Sequence, residues 1–121
     1  HNNFAYIVSE ASSHGMQVFD LKKLRTVTNP PEEFIADTHF TAFGSAHNIV
    51  INEASGYAFI VGASRGSAFG GGPIFINIQD PMNPIQEGGF LEGGYSHDAQ
   101  VVTYNGPDLE YTNKEILIGS N

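Results

Sequence analysis

The feature of this sequence that most constrains its fold is an internal repeat. The segments around His47 and His97 match each other, and the two histidines are 50 positions apart. Units of roughly 40 to 50 residues with four strands each are typical of β-propeller blades. The repeat therefore predicts an all-β fold built of successive four-stranded antiparallel blades. Further apolar runs recur in the same order, residues 5–8 with 58–61 and residues 15–21 with 72–78.

Runs of β-branched and aromatic residues, separated by Gly, Pro, Asn and Asp, divide the chain into short strands. Helical periodicity is weak throughout, and residues 20–24 form the one helix-tolerant stretch. We number the strands of a blade first to fourth from the propeller axis outward. Residues 45–94 are predicted to form one complete blade. Its strands are expected at residues 47–52, 57–62, 73–78 and 85–91.

The rest of the chain is predicted to supply parts of two other blades. Residues 1–44 carry a second, a third and a fourth strand, the fourth within residues 29–43, and residues 95–121 carry the first two strands of the next blade. This amounts to about two to two-and-a-half blades, whereas a closed propeller typically has roughly 4 to 8. Because an open fragment leaves sheet faces bare, we expect the other blades to come from a longer polypeptide or from another copy.

Charge and composition narrow the classes of partner. The chain has 13 Asp and Glu against 5 Lys and Arg, and its net charge is −8. Such a charge repels phosphate, so we expect no nucleic-acid binding. No apolar run approaches the length of a membrane helix, so no membrane insertion by this segment is expected. The absence of cysteine excludes disulfides and is compatible with an extracellular setting.

The repeated motifs resemble a known family. The pattern Ala-Tyr/Phe-Ile-Val, then Gly-x-x-Val/Phe-x-Asp/Asn-Leu/Ile, then Asp-Pro-x-x-Pro is similar to LVIVD-repeat β-propeller proteins. The segments around the two histidines, together with Gly106-Pro107-Asp108, resemble the choice-of-anchor B family of secreted or surface-anchored bacterial proteins. The resemblance implies a propeller that is exported to the cell surface or beyond. It implies no particular reaction.

Strand alternation predicts which side chains share a face of the propeller. Successive strands of a blade are antiparallel, so the loop into a first strand and the loop between the second and third strands lie on the same face. His47 and His97 both open first strands next to the axis, and Asp98 follows directly. These three residues are candidate ligands for a divalent metal ion. The alternative is structural, with the histidines bonding to neighbouring backbone and Asp98 capping a turn.

Three more residues are candidate ligand-binding groups on that face. His14 lies in a second-to-third loop, His39 precedes the complete blade, and Arg65 opens the Gly-rich loop of residues 65–72. Their alternative role is that of solvated loop residues. A phosphate-binding loop is excluded at residues 65–72, because a strand follows and no Lys-Ser/Thr pair is present.

Two functions from different classes follow. The first is a non-catalytic, exported propeller that presents loops to a protein or glycan partner; it rests on the family resemblance and on the lack of any hydrolase or zincin motif. The second is a metal-binding propeller with His47 and His97 at the mouth of the central channel. This alternative includes an oxidoreductase and a hydrolase. A structural subunit of an extracellular assembly is a third alternative.

Overall fold

A computed structural model describes all of residues 1–121 and places nine strands in three antiparallel sheets. The predicted all-β class is therefore confirmed. Each sheet follows chain order, so neighbouring strands are consecutive in sequence. The first sheet contains β1 (Phe4–Val8), β2 (Met16–Asp20) and β3 (Thr38–Phe40), the second β4 (Asn48–Asn52), β5 (Tyr57–Val61), β6 (Ile74–Asn77) and β7 (Ile85–Gly89), and the third β8 (Asp98–Thr103) and β9 (Glu115–Ser120).

The four strands of the second sheet lie where the sequence predicts them, with slightly shorter bounds. β5 ends at Val61 because Gly62 has a positive φ of 65°, which leaves the extended region. β6 begins at Ile74, since Pro73 has no N–H group to donate to the ladder. In the first sheet, β3 pairs with β2 inside the stretch where a fourth strand is predicted. The three sheets, of three, four and two strands, thus follow one another along the chain in the predicted order.

Helix is confined to one short segment. A 3-10 helix of six residues (Leu21–Thr26) follows β2, and the Asp20 side chain caps it by accepting a hydrogen bond from the backbone N–H of Lys22 at 2.9 Å. This segment extends the helix-tolerant stretch of the sequence by two residues. No helix of the protein is both long and apolar enough to cross a bilayer.

The hydrophobic core lies between the first and second sheets. Strand alternation turns Ile74 and Ile76 of β6 toward the first sheet, where they join Met16 and Val18 of β2. Ile60 of β5 completes the centre, and all five side chains are at most 2% exposed. The opposite face of the second sheet carries the aromatic rings of Phe59 and Phe75, which lie near Leu117 of the third sheet. The first and second sheets are thus held face to face by apolar burial rather than by shared strands.

Apolar side chains also lie exposed on the outer faces of the first and third sheets. Ile7 of β1 is 45% exposed, and Val102 of β8 and Ile118 of β9 are 47% and 61% exposed. In β1 and β8, Ile7 and Val102 each follow a less exposed residue of the same strand. Both faces thus have the apolar character of a surface that packs against another sheet.

A carboxylate joins the start of the 3-10 helix to the segment before β3. Asp37 accepts a hydrogen bond from the backbone N–H of Asp20 at 2.8 Å and pairs with the Lys23 ammonium group. The hydrogen bond from Asp20 and, to a smaller extent, the pairing with Lys23 hold the pKa of Asp37 below its ordinary value of 3.8. Because the pKa is lowered in the folded state, ionised Asp37 stabilises the fold above pH 3.8, and this stabilisation is lost as the pH falls through the lowered pKa.

We therefore expect Asp37→Asn to be less stable than the parent chain at pH 7. The difference should shrink progressively once the pH falls below 3.8, because Asp37 then becomes protonated in the unfolded parent chain and, at still lower pH, in the folded chain too. Urea unfolding at a series of pH values measures this difference. Glu53→Gln, which removes an exposed carboxylate, is the control and should show little difference at any pH. A constant difference between the Asp37 variant and the parent chain across the acid range would contradict the assignment.

Candidate functional site

The two repeated histidines occupy equivalent positions at the start of neighbouring sheets. Each lies directly before the strand that opens its sheet, His47 before β4 and His97 before β8. The backbone N–H of His47 donates to the carbonyl of Val61 at 3.1 Å, and that of His97 donates to the carbonyl of Ser120 at 2.7 Å. In both cases the acceptor is the last residue of the sheet's second strand. The sequence repeat is therefore also a repeat of backbone geometry.

The opening strands β4 and β8 lie side by side and point the same way. At one end, the Asn48 side-chain amide donates to Asp98 Oδ1 at 2.5 Å. At the other end, the Asn52 amide donates to Thr103 Oγ1 at 3.0 Å. Because the first residues meet each other and the last residues meet each other, the two strands run parallel. His47 and His97 are thus brought to the same end of adjacent strands.

The imidazole rings of His47 and His97 stack on each other. Their centroids are 3.8 Å apart and their planes differ by 29°. His47 Nδ1 lies 3.0 Å from Glu10 Oε1, and His97 Nδ1 lies 3.8 Å from Asp98 Oδ2. The His47 and His97 side chains are 33% and 48% exposed, so the pair is open to solvent on one side. Two imidazoles between two carboxylates thus form a compact, solvent-facing group.

One ligand atom each from His47, His97 and Asp98 lies within 4.8 Å of the other two. Imidazole nitrogen with carboxylate oxygen is a donor set that suits Zn²⁺, Cu²⁺ or Ni²⁺. A tetrahedral ion with bonds of about 2.0–2.1 Å requires its ligand atoms to be roughly 3.4 Å apart. The donor set therefore suits a divalent transition metal in its chemistry, and binding one would require rotation of the two rings out of their stack to bring the ligand atoms closer together.

Arg65 and Tyr95 extend this group along the same surface. The Arg65 guanidinium lies over the Tyr95 ring, with Cζ 4.0 Å from the ring centroid. The Tyr95 ring in turn tilts against His97, at 6.3 Å between centroids. A row of π-faced side chains thus runs from Arg65 through Tyr95 and His97 to His47. Arg65 was a candidate from the sequence, and it lies at the far end of this row.

His14 and His39 form a second pair. Their rings are 6.1 Å apart between centroids, and His39 Nε2 lies 2.5 Å from the carbonyl oxygen of His14. The Nε2 atom of His14 is buried and has no hydrogen-bond partner. No contact joins this pair to His47 or His97. Of the candidate residues from the sequence, His47, His97 and Arg65 therefore lie in the row of π-faced side chains. His14 and His39 form a separate contact.

Gly62 allows the backbone to approach His47 closely. Its φ of 65° lies in the left-handed region, and its N–H donates to the Ser96 carbonyl at 2.6 Å. A Cβ atom at this position would collide with Cβ of His47 and lie 3.1 Å from the His47 backbone nitrogen. Glycine is thus required where β5 turns away beneath the imidazole pair.

Glu10 and Tyr95 are contacts of the histidines that the sequence reasoning did not single out. A partial signal for Glu10 existed, because residues 5–8 align with residues 58–61, which places Glu10 two residues past the end of a second strand and so on the face that carries the histidines. Tyr95 lies only two residues before His97. Neither residue type by itself points to a site, so the alignment of strand ends was the usable information.

No protein-family model, curated protein or solved structure matches this chain. The resemblance to the choice-of-anchor B family consequently stays a prediction from the motifs.

Proposed function

We propose that this chain is part of a β-propeller that acts as a non-catalytic binding module, and that the face carrying His47 and His97 binds a divalent transition metal ion. The observation that carries the proposal is the meeting of two repeated histidines and Asp98, with ligand atoms within 4.8 Å. Because the histidines recur with the repeat, further blades would add equivalent side chains around a common axis. The metal would then serve as an anchor for a partner that supplies the remaining ligands.

The propeller part of the proposal has support from the arrangement of the sheets. The strands that open the second and third sheets are parallel neighbours, as the innermost strands of adjacent blades are. The exposed apolar faces that carry Ile7 and Ile118 are suited to packing against further blades, from the same polypeptide or from another copy. Export to the cell surface is proposed on the family resemblance alone.

We expect the protein to bind Zn²⁺ with an affinity that His47→Ala and His97→Ala each reduce by at least about tenfold, since each removes one of three ligands. Isothermal titration calorimetry with Zn²⁺ measures this directly. His39→Ala is the matched control, because His39 is also exposed but lies outside the cluster. The replaced side chains are exposed, so all three variants should remain folded.

An equal Zn²⁺ affinity in the parent chain and in the His47 and His97 variants would contradict the metal proposal. The same conclusion would follow if His39→Ala reduced the affinity as much as the other two substitutions. In either case the stacked histidines would have the structural role that the sequence also allows.

A further inference from the structure

The second sheet packs each of its two faces against a neighbouring sheet. One face carries three isoleucines that lie in the core shared with the first sheet, Ile60, Ile74 and Ile76. The other face carries Phe59 and Phe75, which lie near Leu117 of the third sheet. Because side chains alternate along a strand, the two faces consist of different residues. The second sheet thus shows what covers each face of such a unit, namely a sheet of the same repeat.

The outward face of the first sheet is equivalent to the isoleucine face of the second sheet. The alignment of the repeated runs places Ile7 at the position of Ile60. It also places Phe19 at the position of Ile76, and each of these two residues lies opposite an alanine of the preceding strand. The sequence repeat and the strand pairing therefore agree on which face of the first sheet this is.

This face of the first sheet is open and apolar. Ile7 and Phe19 line a shallow depression of about 220 Å³. Phe34 closes one side of it, with its ring centroid 5.2 Å from that of Phe19. No charged side chain lines the depression. The equivalent isoleucines of the second sheet are fully buried by their neighbour, so the same kind of face is covered in one sheet and exposed in the other.

The outward face of the third sheet is equivalent to the aromatic face of the second sheet. A shift of 50 positions carries Val50 onto Gln100. Phe59 lies opposite Val50 in its ladder, and Ile118 lies opposite Gln100, so Ile118 has the position of Phe59. Phe59 is buried, whereas Ile118 and Val102 on the same side of the third sheet are exposed.

The two outward faces match each other because the contact between the first and second sheets already joins faces of these two kinds. Tyr6 of the first sheet aligns with Phe59, and therefore also with Ile118. The Tyr6 side chain lies in the core against the isoleucine face of the second sheet. A side chain at the Ile118 position thus packs against a face of the kind that carries Ile7. Contact between two faces of one kind occurs nowhere in the protein.

A glutamine lies within each outward face and favours a contact between separate molecules. Gln17 has the position of Ile74, and Gln100 has the position of Val50. A face that stays covered within one chain can be apolar throughout, as the face around Ile74 is. Surfaces that are exposed before partners meet keep more polar residues. The two outward faces have this mixed character.

We propose that copies of this chain associate head to tail, with the outward face of the third sheet of one copy packed on the outward face of the first sheet of the next. Ile118 and Val102 would lie against Ile7 and Phe19. Such a heterologous contact leads to a ring where its rotation closes. The inference rests on the propeller part of the proposed function and is independent of the metal site.

The test is sedimentation velocity of the whole chain over a wide range of concentration, with EDTA present so that no metal bridges the copies. We expect the parent chain to self-associate. Ile7→Asp and Ile118→Asp should each abolish this self-association, since a carboxylate buried without a partner opposes the contact. An equimolar mixture of the two variants should form dimers and nothing larger, because each variant retains one intact face and the two intact faces are complementary.

Leu91→Asp is the matched control, because Leu91 is also an exposed apolar residue but follows β7 and lies on neither face. It should associate as the parent chain does, and so should His97→Ala. All the replaced side chains are exposed, so the circular dichroism spectra and urea midpoints should stay near those of the parent chain.

The proposal is overturned if the parent chain stays monomeric at every concentration, or if Leu91→Asp impairs association as much as the two face variants. It is also overturned if Ile7→Asp or Ile118→Asp alone still dimerises, or if their mixture stays monomeric. A monomeric parent chain that binds Zn²⁺ through His47 and His97 would overturn this inference and leave the metal proposal standing.

Discussion

Gly62→Ala is expected to lower the free energy of unfolding by about 2–4 kcal/mol, because alanine at this position is both strained and sterically blocked. The residue has a φ of 65°, and its new Cβ would collide with Cβ of His47. Relief of this collision requires His47 to move, so the substitution should also disturb the stack with His97. Urea unfolding measures the stability, and histidine ring resonances report the stack.

Gly94→Ala is the matched control for this substitution. Gly94 has a similar φ of 71°, but a Cβ atom there would meet nothing within 4 Å. It therefore carries the backbone strain without the collision, and we expect a loss of only about 1 kcal/mol. Equal losses at the two positions would show that backbone strain alone accounts for the effect and that the approach of Gly62 to His47 is looser than described.

Ile76→Ala should cost about 2–5 kcal/mol of unfolding free energy, the range for removal of large aliphatic side chains from packed cores. Ile76 is fully buried at the centre of the contact between the first two sheets. Its neighbours come from both sheets, so they cannot close the resulting space without moving one sheet toward the other. The measurement is again equilibrium unfolding, with the slope on denaturant as a check on two-state behaviour.

The control for the core substitution is Ile35→Ala. Ile35 is 89% exposed and precedes β3, so its truncation should change the stability by no more than about 0.5 kcal/mol. If Ile76→Ala were as mild as Ile35→Ala, the two sheets would not be joined by a common core, and the stacking of blades that the repeat predicts would fail.

The strands were predictable because their signals are local. The runs Ala-Tyr-Ile-Val and Ala-Phe-Ile-Val are rich in β-forming residues, and glycine or proline marks their limits. The repeat then fixed their order, because a strand that was weak in one copy could be located from the other. β3 is a good example: it has only three residues, and its presence within residues 29–43 followed from the expectation of a fourth strand.

The candidate sites were predictable only in part, because they depend on contacts between distant segments. The repeat was enough to bring His47, His97 and Asp98 into one group. It did not indicate that Glu10 contacts His47, nor that Arg65 lies on Tyr95, since these contacts depend on how loops fold back.

The most direct test of the account is a cross-linking measurement on β4 and β8, whose parallel contact places the two histidines together. The chain has no cysteine, so Asn48→Cys combined with Asp98→Cys introduces the only two thiols. The Asn48 and Asp98 side chains are 2.5 Å apart, and we predict rapid cross-linking within one chain by a short bismaleimide, read by mass spectrometry. Asn48→Cys with Glu110→Cys, whose second site follows the far end of β8, should react much more slowly. Equal rates for the two pairs would contradict the side-by-side arrangement and, with it, the binding face.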